Sequence, residues 1–85
     1  MTFFTAIIEA CDEGGFSVEV VGTGVNGQGE TRTDALTDAA LILQEVIDDA
    51  IRDGEALPAP GEPSAEERAR GDIALLPATL PAQAA

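Results

Sequence analysis

The sequence contains no histidine, no lysine, no tryptophan and no tyrosine, and the missing types narrow what it can do. Without histidine there is no side chain whose ordinary titration sits near neutral pH, and no imidazole to ligate a metal or activate a nucleophile. Cysteine is nearly absent as well. Cys11 stands alone, so no disulfide closes within the chain, and in an apolar strand with no histidine to activate it the thiol reads as a packing residue suited to a reducing cytosol. One thiol and no imidazole cannot supply a zinc site, and neither a metal nor a cofactor is expected. Cationic charge is the last shortage: Arg32, Arg52, Arg68 and Arg70 are scattered among sixteen acids, for a net charge of -12. So negative a surface repels phosphates, so direct binding to nucleic acid or to an anionic membrane is not expected. Acidity of this kind serves solubility, or it suits a basic partner that the chain covers.

No long apolar run is present either. The opening MTFFTAIIEAC has no basic residue ahead of its apolar stretch and reaches Glu9 quickly, which fits neither a signal peptide nor a membrane span, and a cytoplasmic location is expected. A chain of 85 residues forms one domain that hides only about 60–65% of its unfolded surface, so a homo-oligomer would help it.

What the chain does have is one long pattern, TRTDALTDAALILQEVIDDAIRDG, from Thr31 to Gly54. At ~100° per residue, Leu36, Ala39, Ala40, Leu43, Ile47, Ala50 and Ile51 share a stripe, with Thr37, Asp38, Gln44, Glu45, Asp48 and Arg52 opposite. This predicts an amphipathic helix. Thr31 and Asp34 form a variant capping box at its start, each side chain reaching the other's backbone, and Gly54 supplies the left-handed residue at its end. Ala35, Ile42 and Val46 widen the apolar arc on one flank to about half the cylinder, more than the ~100° of an ordinary surface helix. We therefore expect Ile42, Val46, Asp49 and Asp53, along one edge of the helix, to line a partner-facing flank. The competing expectation is that they touch only this chain's own tail.

Before the helix come three short strands. TFFTAIIEA alternates Phe4, Ala6, Ile8 and Ala10 on a core face with Phe3, Thr5, Ile7 and Glu9 on the other. Asp12-Glu13-Gly14-Gly15 is turn chemistry leading into FSVEVV, which makes a hairpin. Gly22 to Gly27 then spells GxGxxG between strand and helix, the order of a dinucleotide loop, but Asn26-Gly27-Gln28-Gly29 still separates it from the helix cap. A turn at Gly22 to Gly24 followed by a third strand from Val25 to Glu30 accounts for it better, with glycines that permit a bulge or a close backbone approach. After Gly54, EALPAPGEP is an extended connector and SAEERARG a short helix with Ser64 and Glu67 as its capping box. DIALLP, residues 72 to 77, is either a fourth strand or a tail docked on a neighbour, and ATLPAQAA is expected to fray.

The resulting expectation is an α+β fold in β-β-β-α-β order, a small antiparallel three-stranded sheet covered on one face by one long helix. Residues 1-60 form the core; residues 61-85 hold the linker, a short helical turn and a C-terminal strand or tail.

In that order, the strand TAIIEA, the hairpin Asp12 to Val18, the run Gly24 to Thr31, the helix opening Asp34-Ala35-Leu36 and the closing Asp53 to Pro60 resemble the HicB-like antitoxin family, a partial ribonuclease H fold of bacterial toxin-antitoxin systems. The resemblance covers most of residues 4 to 60. It implies binding and not catalysis: such proteins form oligomers and cover a small basic RNA-cleaving HicA-type toxin. The chain departs from the family in two places. Its C-terminal part is rich in proline and alanine, where autorepressing members carry a DNA-binding segment, which makes it a short form. In addition, Val-Gly-Thr precedes the third strand where many relatives carry proline. An orphan HicB-like protein that self-associates without a toxin is the alternative. A ribonuclease H site would need carboxylates converging on metal ions, and Glu9, Asp12, Glu19 and Glu30 are the inventory for one. Glu9 and Glu19 alternate toward the solvent face, however, and the fold lacks later elements to form a pocket. An enzyme is not expected.

Overall fold

The alternation of TFFTAIIEA becomes strand β1, Thr2–Ala10, in the computed structural model, which describes residues 1 to 80. Strands β2 (Phe16–Val20) and β3 (Val25–Gly29) follow, then helix α1 (Arg32–Asp53), a short helix α2 (Ala65–Arg70) and strand β4 (Asp72–Ala78). The strands form one antiparallel sheet in the order β3-β2-β1-β4. Four strands stand where the sequence suggested three. DIALLP carries too little alternation to announce itself, and what makes it a strand is the open side of β1, against which Thr2 to Ile8 pair with Ala78 to Asp72.

One sheet face and one side of α1 enclose the core. Phe4, Ala6 and Ile8 of β1, Val18 and Val20 of β2, Val25 of β3 and Leu76 and Ala78 of β4 bury against Ala35, Ala39, Leu43 and Ile47. The buried stripe keeps Ala39, Leu43, Ile47 and Ala50 of the expected one and is turned slightly toward the expected flank. Ala35, placed on the flank from sequence, is fully buried, whereas Ile51, placed on the stripe, is 50% exposed. The cause lies in β3. Gly27 and Gly29 present no side chain to the helix, and an added Cβ would fall 2.5 Å from the Ala39 nitrogen and 2.6 Å from the Ala35 nitrogen respectively. The helix therefore settles on the glycines through its smallest residues, backbone to backbone, and the GxGxxG spelling is explained by packing.

The ends of α1 are set locally. Thr31 Oγ1 accepts the Asp34 N–H at 3.0 Å, one of the two bonds expected of the capping box, and Gly54 closes the helix at φ 69°. Beyond it the chain passes to the other sheet face, where Gly61 lies against Gly22 and Val21. α2 starts with the full capping box, Ser64 Oγ accepting the Glu67 N–H at 3.1 Å and Glu67 Oε1 accepting the Ser64 N–H at 2.9 Å. On this second face Ile7 and Val21 are buried while Phe3 stays 53% exposed. Connector and α2 explain that difference, since they lie over the β2 side and the end of β1 and leave its beginning bare.

Two expectations are corrected here. Cys11 is exposed and sits just past β1 in the hairpin turn, where its N–H donates to the Gly15 carbonyl at 3.0 Å, so it packs in no core. The segment from Ala78 is ordered through Leu80: Ala78 ends β4, Thr79 is hydrogen-bonded to α1, and Leu80 packs on the core. The rest of the tail expected to fray, residues 81 to 85, lies outside the described residues.

Candidate partner-binding surface

Helical spacing puts Ile42, Val46, Asp49 and Asp53 on one stripe, and the structure places them along the flank of α1 beside its buried centre. Ile42 is half-buried and packs against the core, Val46 is 39% exposed, and Asp49 and Asp53 are exposed. Asp49 is held by Arg52 one turn on, which leaves Asp53 and the nearby Glu45 as open acids. The stripe continues N-terminally to Asp38, whose Oδ2 accepts the Gln28 backbone N–H at 2.9 Å. That bond ties the flank to the outer edge of β3 and satisfies an amide that an edge strand would otherwise expose. The flank is thus a ridge of two aliphatic side chains with carboxylates at both ends, fixed in position by the glycine contact beneath it.

The far side of α1 carries a second fastening. Gln44 Nε2 donates to the Thr79 carbonyl and Gln44 Oε1 accepts the Thr79 N–H, both at 3.0 Å. A side-chain amide here repeats the bonding of a neighbouring strand and holds the end of β4 to the helix. Asp38 and Gln44 were both read from sequence as solvent residues. Nothing in a single sequence reveals that their partners are backbone groups of distant strands.

The carboxylates considered for metal chemistry are differently employed. Glu9 and Glu19 do approach one another on the second face, and they do so around Arg70 of α2, which donates from Nε to Glu9 at 2.9 Å and from Nη2 to Glu19 at 2.6 Å. The bond to Glu19, then that to Glu9, raises the Arg70 pKa above its ordinary value, so the clamp keeps its charge at any working pH. In α2 itself the Glu67 carboxyl is held below its ordinary 4.5, first by the Ser64 backbone N–H. Asp12 is exposed in the hairpin turn, and Glu30 lies with Cys11, Glu13 and Gln28 around an open depression between that turn and the end of β3. An arginine between two acids locks α2 to the sheet.

No protein-family model matches the sequence, and no curated protein is similar to it. Its fold, by contrast, has clear counterparts. The Burkholderia pseudomallei antitoxin HicB superposes with a TM-score of 0.73 at 23% identity, over 91% of this chain and 63% of that one. A chain of the HicA3 and HicB3 toxin-antitoxin complex superposes with a TM-score of 0.71 at 19% identity, over 92% of this chain and 99% of that one. This chain therefore spans just under two thirds of the Burkholderia protein. In the described residues, no helix is long and apolar enough to cross a membrane. The sheet order, the single long covering helix and the closing strand together make this a HicB-like fold.

Proposed function

We propose that this chain acts as an antitoxin-like binding module, without catalysis, that covers a small basic RNA-cleaving protein of the HicA type in the bacterial cytoplasm. The observation that carries the reading is the HicB-like fold in a chain of net charge -12. A nuclease that holds RNA needs a positive surface, and an acidic lid both attracts and occupies it. The ridge of Ile42 and Val46 between Asp38, Asp49 and Asp53 is the surface we assign to this contact: an apolar centre with an acidic rim, the usual layout of a protein interface.

Growth tests the reading. Cells induced to make a HicA-type protein from the same genome should stop growing, and co-expression of this chain should restore them. Val46→Asp should reduce the rescue while leaving the circular dichroism spectrum and melting temperature of the isolated chain unchanged. Failure of the native chain to rescue would sink the reading. Rescue by the native chain and the Val46 variant alike would move the contact elsewhere.

A further inference from the structure

Packing explains the glycines of the GxGxxG stretch but not the residue set between them. Asn26 is the only asparagine in the chain, and it stands directly before Gly27. Asparagine is a thermolabile residue type, and most of all before glycine, where no side chain keeps the next backbone nitrogen from attacking its amide carbon. In the seated strand that attack is blocked. The Asn26 side chain lies on the second sheet face opposite Glu19, with Nδ2 donating back to the Gly24 carbonyl at 3.2 Å. The Gly27 nitrogen is engaged elsewhere. The Thr5 carbonyl accepts the Val21 N–H at 2.9 Å, so odd residues of β2 bond toward β1 and even residues toward β3. Val18 and Gly27 are therefore a pair that exchanges N–H to C=O bonds. An extended backbone at Asn26 also holds the next nitrogen away from its own side chain, so ring closure requires the strand to come off.

The hold on that strand is light. β3 is the outermost strand on its side of the sheet, and Val25 is its only apolar side chain. The Val25 N–H is accepted by Thr23 Oγ1 at 3.0 Å, inside the preceding turn. On the outer side Asp38 Oδ2 accepts the Gln28 N–H, and among the described residues no other side-chain hydrogen bond ties α1 to β3. A segment with so little buried apolar surface opens locally at a lower free energy than the whole domain.

We infer that Asn26-Gly27 is a self-modification site, latent while β3 is seated, that converts to aspartate and isoaspartate when β3 lifts from β2 and α1. In the open strand the Gly27 nitrogen loses its proton to solvent base and bonds to Asn26 Cγ. The Cγ–Nδ2 bond breaks, and the side-chain nitrogen takes up a proton and leaves as ammonia. Water then opens the imide on one side or the other. Cleavage between Cγ and the nitrogen gives aspartate; cleavage between the backbone carbonyl carbon and the nitrogen gives isoaspartate. Nothing is oxidised or reduced.

The two products differ in what they do to the fold. Isoaspartate carries the main chain through Cβ and Cγ, which inserts an extra atom just before Gly27. Gly27 then cannot both pair with Val18 and lie so close to α1 that an added Cβ would fall 2.5 Å from the Ala39 nitrogen. Aspartate keeps the chain length and only adds a carboxylate opposite Glu19, which already has Arg70 as its partner. The isoaspartyl form is thus an irreversible record of β3 opening that unseats the long helix. The inference concerns this chain alone and does not rest on the toxin reading.

The test incubates the full chain at mildly alkaline pH, folded and in denaturing urea. Intact mass reads the exchange of amide for acid, and enzymatic methylation reads isoaspartate, with Asn26→Gln as the blank. The folded native chain should convert at least ~10-fold more slowly than the chain in urea. Asp38→Ala should convert about 3- to 10-fold faster than native when folded, and at the native rate in urea. Asp48→Ala removes an acid of the same helix whose bond is to Gln44, and it should match native in both. Hydrogen exchange of the Gly27 amide in the native chain, which needs no variant, should give the same opening ratio within a factor of about 3. The purified isoaspartyl product should melt at least ~5 °C below native, and Asn26→Asp close to native. No conversion in urea overturns the site. Equal rates folded and in urea, a Gly27 amide protected far beyond the deamidation ratio, or Asp38→Ala no faster than Asp48→Ala overturns the gating by β3. An isoaspartyl chain that melts with the native one overturns the consequence for α1.

Discussion

Replacing Gly27 by alanine should be among the most damaging single-methyl changes in the fold. The added Cβ would lie 2.5 Å from the Ala39 nitrogen, 2.7 Å from its Cα and 2.8 Å from its Cβ. Ordinary carbon contacts begin near ~3.5 Å, so the helix must retreat by about 1 Å or the strand must bend. Overpacking of a core costs about 1–3 kcal/mol, and the obstacle here is helix backbone, which has no rotamer to change; we expect the upper end, about 3 kcal/mol. A domain of this size is stable by roughly 4–13 kcal/mol in total. At about 4–8 °C per kcal/mol, the melting temperature should fall by ~12–24 °C. Gly24→Ala is the comparison: it has open space within 4 Å but φ +76°, so it carries backbone strain alone, about 1 kcal/mol. Both variants are read by urea and thermal unfolding followed by far-ultraviolet circular dichroism. If Gly27→Ala costs no more than Gly24→Ala, the backbone-to-backbone seating of α1 on β3 is wrong, and with it the placing of the flank.

Other outcomes follow from the fastenings. Gln44→Ala removes both bonds to Thr79 and should cost about 1 kcal/mol, with the amides at the end of β4 losing their protection from hydrogen exchange. Arg70→Gln leaves Glu9 and Glu19 facing each other without their cation. It should lower the melting temperature by an amount that shrinks as salt is added. The Glu67 carboxyl, held below 4.5 by the Ser64 backbone, contributes stability that is complete above pH 4.5 and lost as pH falls through its lowered value. Hydrogen exchange in α2 should accelerate across that acid range in the native chain and show no such step in Glu67→Gln.

The parts of this fold readable from the sequence are those set by neighbouring residues. Thr31, Gly54, Ser64 and Glu67 act within one or two turns, so both helix limits could be read directly. The β1–β2 hairpin is equally local, with Gly14 and Gly15 at φ 101° and 79°. Periodicity located the long helix and most of its buried stripe, but not the small turn that buries Ala35 and exposes Ile51, because Gly27 and Gly29 on another element decide it. β4 was ambiguous for the same reason: its residues become a strand through pairing with β1 nearly seventy positions away. That Ile42, Val46, Asp49 and Asp53 lie on one flank of the helix beside the core followed from helical spacing, while their contact with a partner is a proposal. Its neighbour Asp38, the Gln44 fastening and the Arg70 clamp were not legible, since each depends on a side chain reaching across the sheet.

Binding to a purified HicA-type protein from the same genome, measured by calorimetry at low and high salt alongside cleavage of an RNA substrate, bears most directly on the account. We predict a complex that forms tightly at low salt, weakens as salt rises, and stops RNA cleavage in proportion to the complex formed. An RNA-cleaving protein that stays fully active with a molar excess of this chain would contradict it.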